Sequence, residues 1–123
     1  MPNWQVLIVE DEYDSIQMVS KILTHHGVEI SVVNDGFQCM EALQDMEPTL
    51  IVMDLSLPGM NGWDTLIAIR SDPRLAHIPV VAVTAFDSVD VAEDAYKAGF
   101  DGYFPKPVNP GSFVNALADI ISA

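Results

Sequence analysis

Two unbroken apolar runs, Val6-Leu7-Ile8-Val9 and Leu50-Ile51-Val52-Met53, set the tightest limit on how this chain folds. A strand with one wet face alternates apolar and polar residues. A continuous run rich in Val and Ile instead reads as a strand covered on both faces of a parallel sheet. Both runs end in acid, Glu10 and Asp11 after the first and Asp54 after the second. Residues just past the C-terminal ends of such strands line the crevice where open α/β sheets bind ligands. If the two strands are neighbours, three carboxylates converge and repel one another unless a hard cation such as Mg²⁺ neutralises them.

The rest of the chain keeps the same rhythm. Gln5 to Val9 is the first predicted strand, and a helix follows from about Asp14 to His25, with Ile16, Val19, Ile22 and Leu23 at helical spacing and Gly27 as its stop. Glu29 to Val33 is the second strand. Asn34 and Asp35 are capping candidates for a helix that runs to about Gln44 and ends before Pro48. Leu50 to Asp54 is the third strand, and Leu55 to Gly62 a loop marked by Pro58-Gly59 and Asn61-Gly62. The next helix carries Trp63, Leu66, Ile67 and Ile69 and stops at Asp72-Pro73. Val80 to Thr84 is the fourth strand, Val89 to Ala98 a helix closed by Gly99, and Gly102 to Phe104 a short fifth strand. Asn109-Pro110 reads as N-cap and first turn of a last helix, with Phe113, Leu117, Ile120 and Ile121 facing inward. Five βα units without linker or repeat predict one α/β domain over residues 1–123, built on a doubly wound parallel sheet.

Half of the residues are hydrophobic, which excludes a disordered tail. The apolar blocks are too short for a membrane span, and no charged start with an apolar core marks a signal peptide. A cytoplasmic protein is expected. The single cysteine, Cys39, has no internal partner and is expected to pack within a helix. Eighteen Asp and Glu stand against five Lys and Arg, for a net charge of −13. The five cations, Lys21, Arg70, Arg74, Lys97 and Lys106, are scattered. Nucleic-acid binding requires a basic patch, and anionic membranes repel so acidic a chain, so neither is expected as a partner.

Two further residues sit at predicted strand ends: Thr84 after the fourth, and Lys106 in Phe104-Pro105-Lys106-Pro107 after the fifth. A Thr at a strand end ordinarily caps a turn, and a lone Lys is ordinarily a solvated charge. Beside three carboxylates at the same end of one sheet, those readings lose. Val-Glu10-Asp11, Met-Asp54-Leu-Ser-Leu-Pro-Gly-Met-Asn-Gly, Val-Thr84-Ala and Lys106-Pro107 together resemble the receiver domain of bacterial two-component response regulators, the CheY-like family. The likeness runs from about Gln5 to Ile121. The stretch Leu75 to Phe86 is also similar to stand-alone regulators of the DivK type.

The resemblance implies a single-domain (βα)5 flavodoxin-like fold, with strand order 2-1-3-4-5 and helices on both faces. It implies that Asp54 takes a phosphoryl group from the histidine of a histidine kinase or a histidine phosphotransfer protein. A carboxylate is a weak nucleophile, so transfer depends on positioning and on charge neutralisation by Mg²⁺. Glu10, Asp11, Asp54 and the Ser56 carbonyl match the metal ligands; many relatives have Asp at position 10, and the longer Glu10 suggests contact through water. Thr84 and Lys106 match the groups that bind phosphoryl oxygens, with a cis peptide bond expected between Lys106 and Pro107. Tyr103 matches an aromatic switch coupled to Thr84. Tyr13, Ile16, Pro105 and Pro107 match the rim where the donor docks. Ser56 and Phe86 flank the approach of a hydrolytic water; Phe86 cannot orient one, so slow self-dephosphorylation is expected.

Other chemistries fit less well. A flavodoxin needs a Ser/Thr-rich phosphate loop after the first strand, where Glu10-Asp11-Glu12 would repel phosphate. A haloacid-dehalogenase-type phosphatase needs a second Asp two residues past the nucleophile, where this chain has Ser56. Neither a Walker loop nor GxGxxG occurs. His25, His26 and His77 lie near no other ligand-type cluster and read as surface or packing residues. The expected function is that of a phospho-accepting signalling protein rather than an enzyme with an external substrate. It would act on a downstream protein target as a monomer or weak dimer. The alternatives are a phosphorylation-independent adaptor of the same fold or a receiver belonging to a hybrid kinase.

Overall fold

In the computed structural model, which describes residues 3–123, the unbroken apolar runs lie inside a five-stranded parallel sheet. The strands are β1 (Gln5–Val9), β2 (Glu29–Val33), β3 (Leu50–Met53), β4 (Val80–Thr84) and β5 (Gly102–Pro105). Their order is β2-β1-β3-β4-β5, as the resemblance implied. The helices are α1 (Tyr13–His25), α2 (Gly36–Ala42), α3 (Gly62–Ser71), α4 (Val89–Ala98) and α5 (Pro110–Ser122). Side chains alternate across a strand, so each apolar run feeds two cores. Leu7, Val9, Ile51, Met53 and Ala82 pack with Cys39, Leu66, Ile69 and Ala95 from α2, α3 and α4. Val6, Ile8, Leu50, Val52 and Val83 pack with Val19 and Leu23 of α1 and with Phe113 and Leu117 of α5. This two-sided burial is why the runs contain no polar residue. No helix among the described residues is long and apolar enough to cross a membrane.

Local chemistry sets the boundaries. Of the two capping candidates before α2, Asp35 is the cap: its carboxylate accepts the Gln38 amide at 2.8 Å. The helix ends at Ala42, short of the expected Gln44, because Gln44 and Asp45 turn back to the Glu41 and Ala42 carbonyls in a tighter i→i+3 pattern. The Asn61-Gly62 pair is a helix start rather than a turn. Asn61 caps α3 through the Asp64 amide at 2.9 Å, and Gly62 is its first residue. A Cβ on Gly62 would lie 2.4 Å from the Asp54 carbonyl oxygen and 2.8 Å from the Leu55 Cα, so only glycine lets α3 start this close to the end of β3. Cys39 is fully buried, and burial pushes its thiol up to about 12, so it packs rather than reacts.

Arg70, in the last turn of α3, fastens the opposite end of the sheet. Its guanidinium donates to the carbonyls of Ala76, Ile78 and Gly99 and to the Asp101 carboxylate at 2.7–3.2 Å. Asp101 in turn accepts the Val80 amide that opens β4, at 2.9 Å. One planar fork thus ties α3 to the entries of β4 and β5. Arg70→Ala should lower stability by about 2–4 kcal/mol, because it strips partners from two part-buried carbonyls and from Asp101 at once. Urea unfolding followed by circular dichroism checks this, and Arg70→Lys should recover only part of the loss.

Candidate functional site

Strand register assembles the site. In the β1–β3 pair Val9 stands opposite Met53, so the next residues, Glu10 and Asp54, leave adjacent strands side by side. The Asp54 amide still bonds the Val9 carbonyl at 3.0 Å, one residue beyond the end of β3. Glu10 and Asp54 are buried, 4% and 7% exposed, and Asp11 is exposed at the rim. One oxygen from each of the three lies within 4.8 Å of the others. Across the sheet, Thr84 of β4 stands opposite Pro105 of β5, and the Lys106 amide donates to the Thr84 carbonyl at 2.8 Å. Lys106 therefore leaves the sheet at the same end as the acids, and its peptide bond to Pro107 is cis.

The Lys106 ammonium donates to Glu10 Oε1 at 2.6 Å and to Asp54 Oδ2 at 3.1 Å. Each carboxylate is held from behind as well. Glu10 Oε2 accepts the amides of Asp11 and Glu12 at 3.0 and 3.2 Å, and Asp54 Oδ1 accepts the Ser56 amide at 3.1 Å. Burial above all, joined by the neighbouring Asp54 and opposed by the Lys106 bond, raises Glu10 to about 7. For Lys106, burial pulls downward, but the bonds to Glu10 and Asp54 outweigh it and hold the ammonium above its ordinary value. A lone lysine among three acids leaves an excess of negative charge on an all-oxygen donor set. That chemistry suits a hard cation such as Mg²⁺ rather than a soft one.

Thr84 is fully buried, and its Oγ1 accepts the Phe86 amide at 3.3 Å. The Tyr103 hydroxyl donates to the Phe86 carbonyl and accepts the Ser88 amide at 3.4 Å. Thr84 and Tyr103 therefore hold the two ends of one residue in the loop after β4. The Phe86 side chain is 53% exposed and belongs to neither core. Of the docking candidates, Tyr13 and Pro107 are exposed while Ile16 and Pro105 are half-buried. A groove of about 290 Å³ beside Lys106 is lined by Glu12, Ser15, Met18 and Pro107, but not by Tyr13 or Ile16. Sequence reasoning missed Ser15 and Met18, although both lie on the α1 face that Val19 and Ile22 turn toward the sheet. It also missed the role of Asn34, whose side chain donates to the Glu10 carbonyl at 3.1 Å from the end of β2.

Residues 6–118 match the response regulator receiver domain family. The chain is 35% identical over 111 residues to the DNA-binding response regulator MtrA of Mycobacterium tuberculosis, covering 89% of this chain and 47% of that protein. It thus spans about half the length of the MtrA relatives it matches. It is 30% identical over 117 residues to the polar-differentiation response regulator DivK of Brucella anthropi, covering 95% of this chain and 94% of that one. Among solved structures, the receiver domain of the sensor histidine kinase PA1611 from Pseudomonas aeruginosa superposes with a TM-score of 0.89 at 25% identity, covering 98% and 99% of the two chains. That domain carries a magnesium ion coordinated in its active-site cleft. With the acidic pocket, the basic residue opposite it and the strand order all in agreement, this chain belongs to the receiver-domain family of two-component response regulators.

Proposed function

We propose that this chain is a phospho-receiver in which Asp54 takes a phosphoryl group from a phosphohistidine, on a histidine kinase or a histidine phosphotransfer protein. The observation that carries the reading is the convergence of Glu10, Asp11 and Asp54 with Lys106 at one end of the sheet. In the transfer, an Asp54 carboxylate oxygen bonds to phosphorus as the bond from phosphorus to the imidazole nitrogen breaks. Bound Mg²⁺ would offset the charge gathered on the phosphoryl oxygens and the acids. Asp11 and Asp54 are the carboxylates best placed to hold it directly, with the Ser56 carbonyl as a further oxygen. Glu10 carries three hydrogen bonds, from Lys106 and two amides, against two on Asp54, and is suited to act through water. Lys106 supplies a fixed cation for one phosphoryl oxygen, and the Thr84 hydroxyl supplies a hydrogen bond for another. The chain performs this step on itself, which makes it a signalling acceptor rather than an enzyme.

The signal follows from the shared loop. If Thr84 turns toward the phosphoryl group, Oγ1 releases the Phe86 amide, and the Tyr103 bond to the Phe86 carbonyl is disturbed from the other side. The face of α4, β5 and α5 then shifts between two packings that a downstream protein distinguishes. The donor docks on α1 and the loop around Pro105 and Pro107. The net charge of −13 argues against nucleic acid as a direct partner of this domain.

Incubation with Mg²⁺ and a small phosphodonor should add the mass of one phosphoryl group. Asp54→Asn should abolish the gain, and excess EDTA should suppress it in the unaltered chain. Stoichiometric labelling of Asp54→Asn would overturn the assignment, and no labelling of the unaltered chain would point to the adaptor reading.

The donor surface is tested separately. Ile16→Glu should slow transfer from a phosphorylated histidine phosphotransfer protein at least tenfold while leaving small-molecule labelling unchanged; equal slowing of both would place Ile16 in the fold rather than the interface.

The Phe86 ring, exposed in the loop after β4, is proposed to shield the aspartyl phosphate from water. Phe86→Glu should shorten the half-life of the phosphorylated form after the donor is removed. An equal or longer half-life would dismiss the shield.

A further inference from the structure

The basic groups of this chain are few, and half of them are already matched. Lys106 bonds Glu10 and Asp54, Arg70 bonds Asp101, Arg74 bonds Asp72 at 3.1 Å, and His77 bonds Glu47 at 2.5 Å. Among the described residues, four basic side chains have no carboxylate within ion-pair distance: Lys21, His25, His26 and Lys97. Three of these four gather around one cavity, of about 510 Å³, between the last turn of α1 and the first turn of α5. Lys21, Ile22, His25 and His26 line it from α1, and Pro110 and Gly111 from α5. No acidic residue lines it, in a chain with eighteen of them.

The arrangement has a structural explanation that covers only part of it. His26 Nδ1 meets the Ile22 carbonyl at 2.9 Å, and two imidazoles at a helix C-terminus complement its negative end. Those facts account for His26. They do not explain why Lys21 and His25, one turn apart and exposed, face the same opening with no carboxylate brought to meet them. Nor do they explain why the opening is bounded on its far side by the positive end of α5. The α5 amides of Gly111 and Ser112 are taken by Asn109 Oδ1, so that helix supplies a favourable field rather than free donors. The donors are the Lys21 ammonium and an imidazole N–H of His25; His26, whose Nδ1–H is taken by the Ile22 carbonyl, lines the opening. Ile22 and Pro110 add an apolar wall. The volume lies in the range of small-molecule sites and exceeds what a bare phosphate fills.

We propose that this cavity binds a small organic phosphate: an anionic head held by Lys21 and His25 beside the His26 ring, and an apolar or flat portion against Ile22 and Pro110. The site is remote in sequence from Asp54 and does not rest on the phospho-receiver reading. Its occupant would bridge α1 and α5, which otherwise meet only through their buried faces.

The test is an amide-resolved NMR titration of the full chain with adenosine monophosphate, in magnesium-free buffer so that the acidic pocket repels the probe. Saturable shifts should centre on Lys21, Ile22, His25, His26 and Gly111, with a dissociation constant of about 1 mM or below. Adenosine alone and inorganic phosphate alone should each bind at least tenfold more weakly. Lys21→Gln combined with His25→Gln should weaken binding at least tenfold while leaving the helical circular dichroism unchanged, since the His26 contact that finishes α1 remains. No saturable shifts, shifts centred on Asp54, equal binding of adenosine or inorganic phosphate, or unchanged affinity in the double variant would each overturn the proposal.

Discussion

Glu10 and Asp54 are forced together by hydrogen-bond register. Once β1 and β3 pair with Val9 opposite Met53, the next residues leave the sheet side by side, with little water to screen them. Two buried carboxylates in contact are costly, and much of the site answers that cost. Lys106 sits between them, the amides of Asp11, Glu12 and Ser56 hold their outer oxygens, and Asn34 steadies the Glu10 backbone. The β4–β5 register delivers Lys106 to that spot, and the glycine at position 62 lets α3 start against the end of the strand carrying Asp54.

The loop after β4 occupies a similarly constrained place. Its residue Phe86 is tethered by its amide to Thr84 and by its carbonyl to Tyr103, while its ring is left largely in solvent. A residue held only by its backbone can be re-set by a small movement at either tether. That makes the loop a natural junction between a buried hydroxyl and an exposed face.

Much of this was legible in the sequence because burial on two faces leaves an unmistakable pattern. The runs 6–9, 50–53 and 80–83 contain no polar residue, so their positions, and the acids that end two of them, stood out before any contact was known. The edge strand β2 is half exposed and its pattern correspondingly weaker. What could not be read were effects set by distance rather than pattern. Asn61-Gly62 looks like a turn because that dipeptide favours one, yet Gly62 is glycine for lack of room beside the Asp54 carbonyl. Asn34 and Asp35 look equally able to cap α2, and only the backbone path shows that Asp35 does so while Asn34 reaches back to Glu10. His25 and His26 read as surface or packing residues and Lys21 as one of five scattered cations, because the wall that faces them comes from Pro110 and Gly111, some eighty-five residues along the chain.

The fork of Arg70 gives the domain a mechanical polarity. It knots α3, β4 and β5 together where the strands begin, while the acids, Thr84 and Lys106 lie where they end. A beam clamped at one end bends at the other. Displacement born at the carboxylates therefore has little reason to travel toward the clamp and is left to spread sideways, through the loops at the free end and the upper turns of the neighbouring helices.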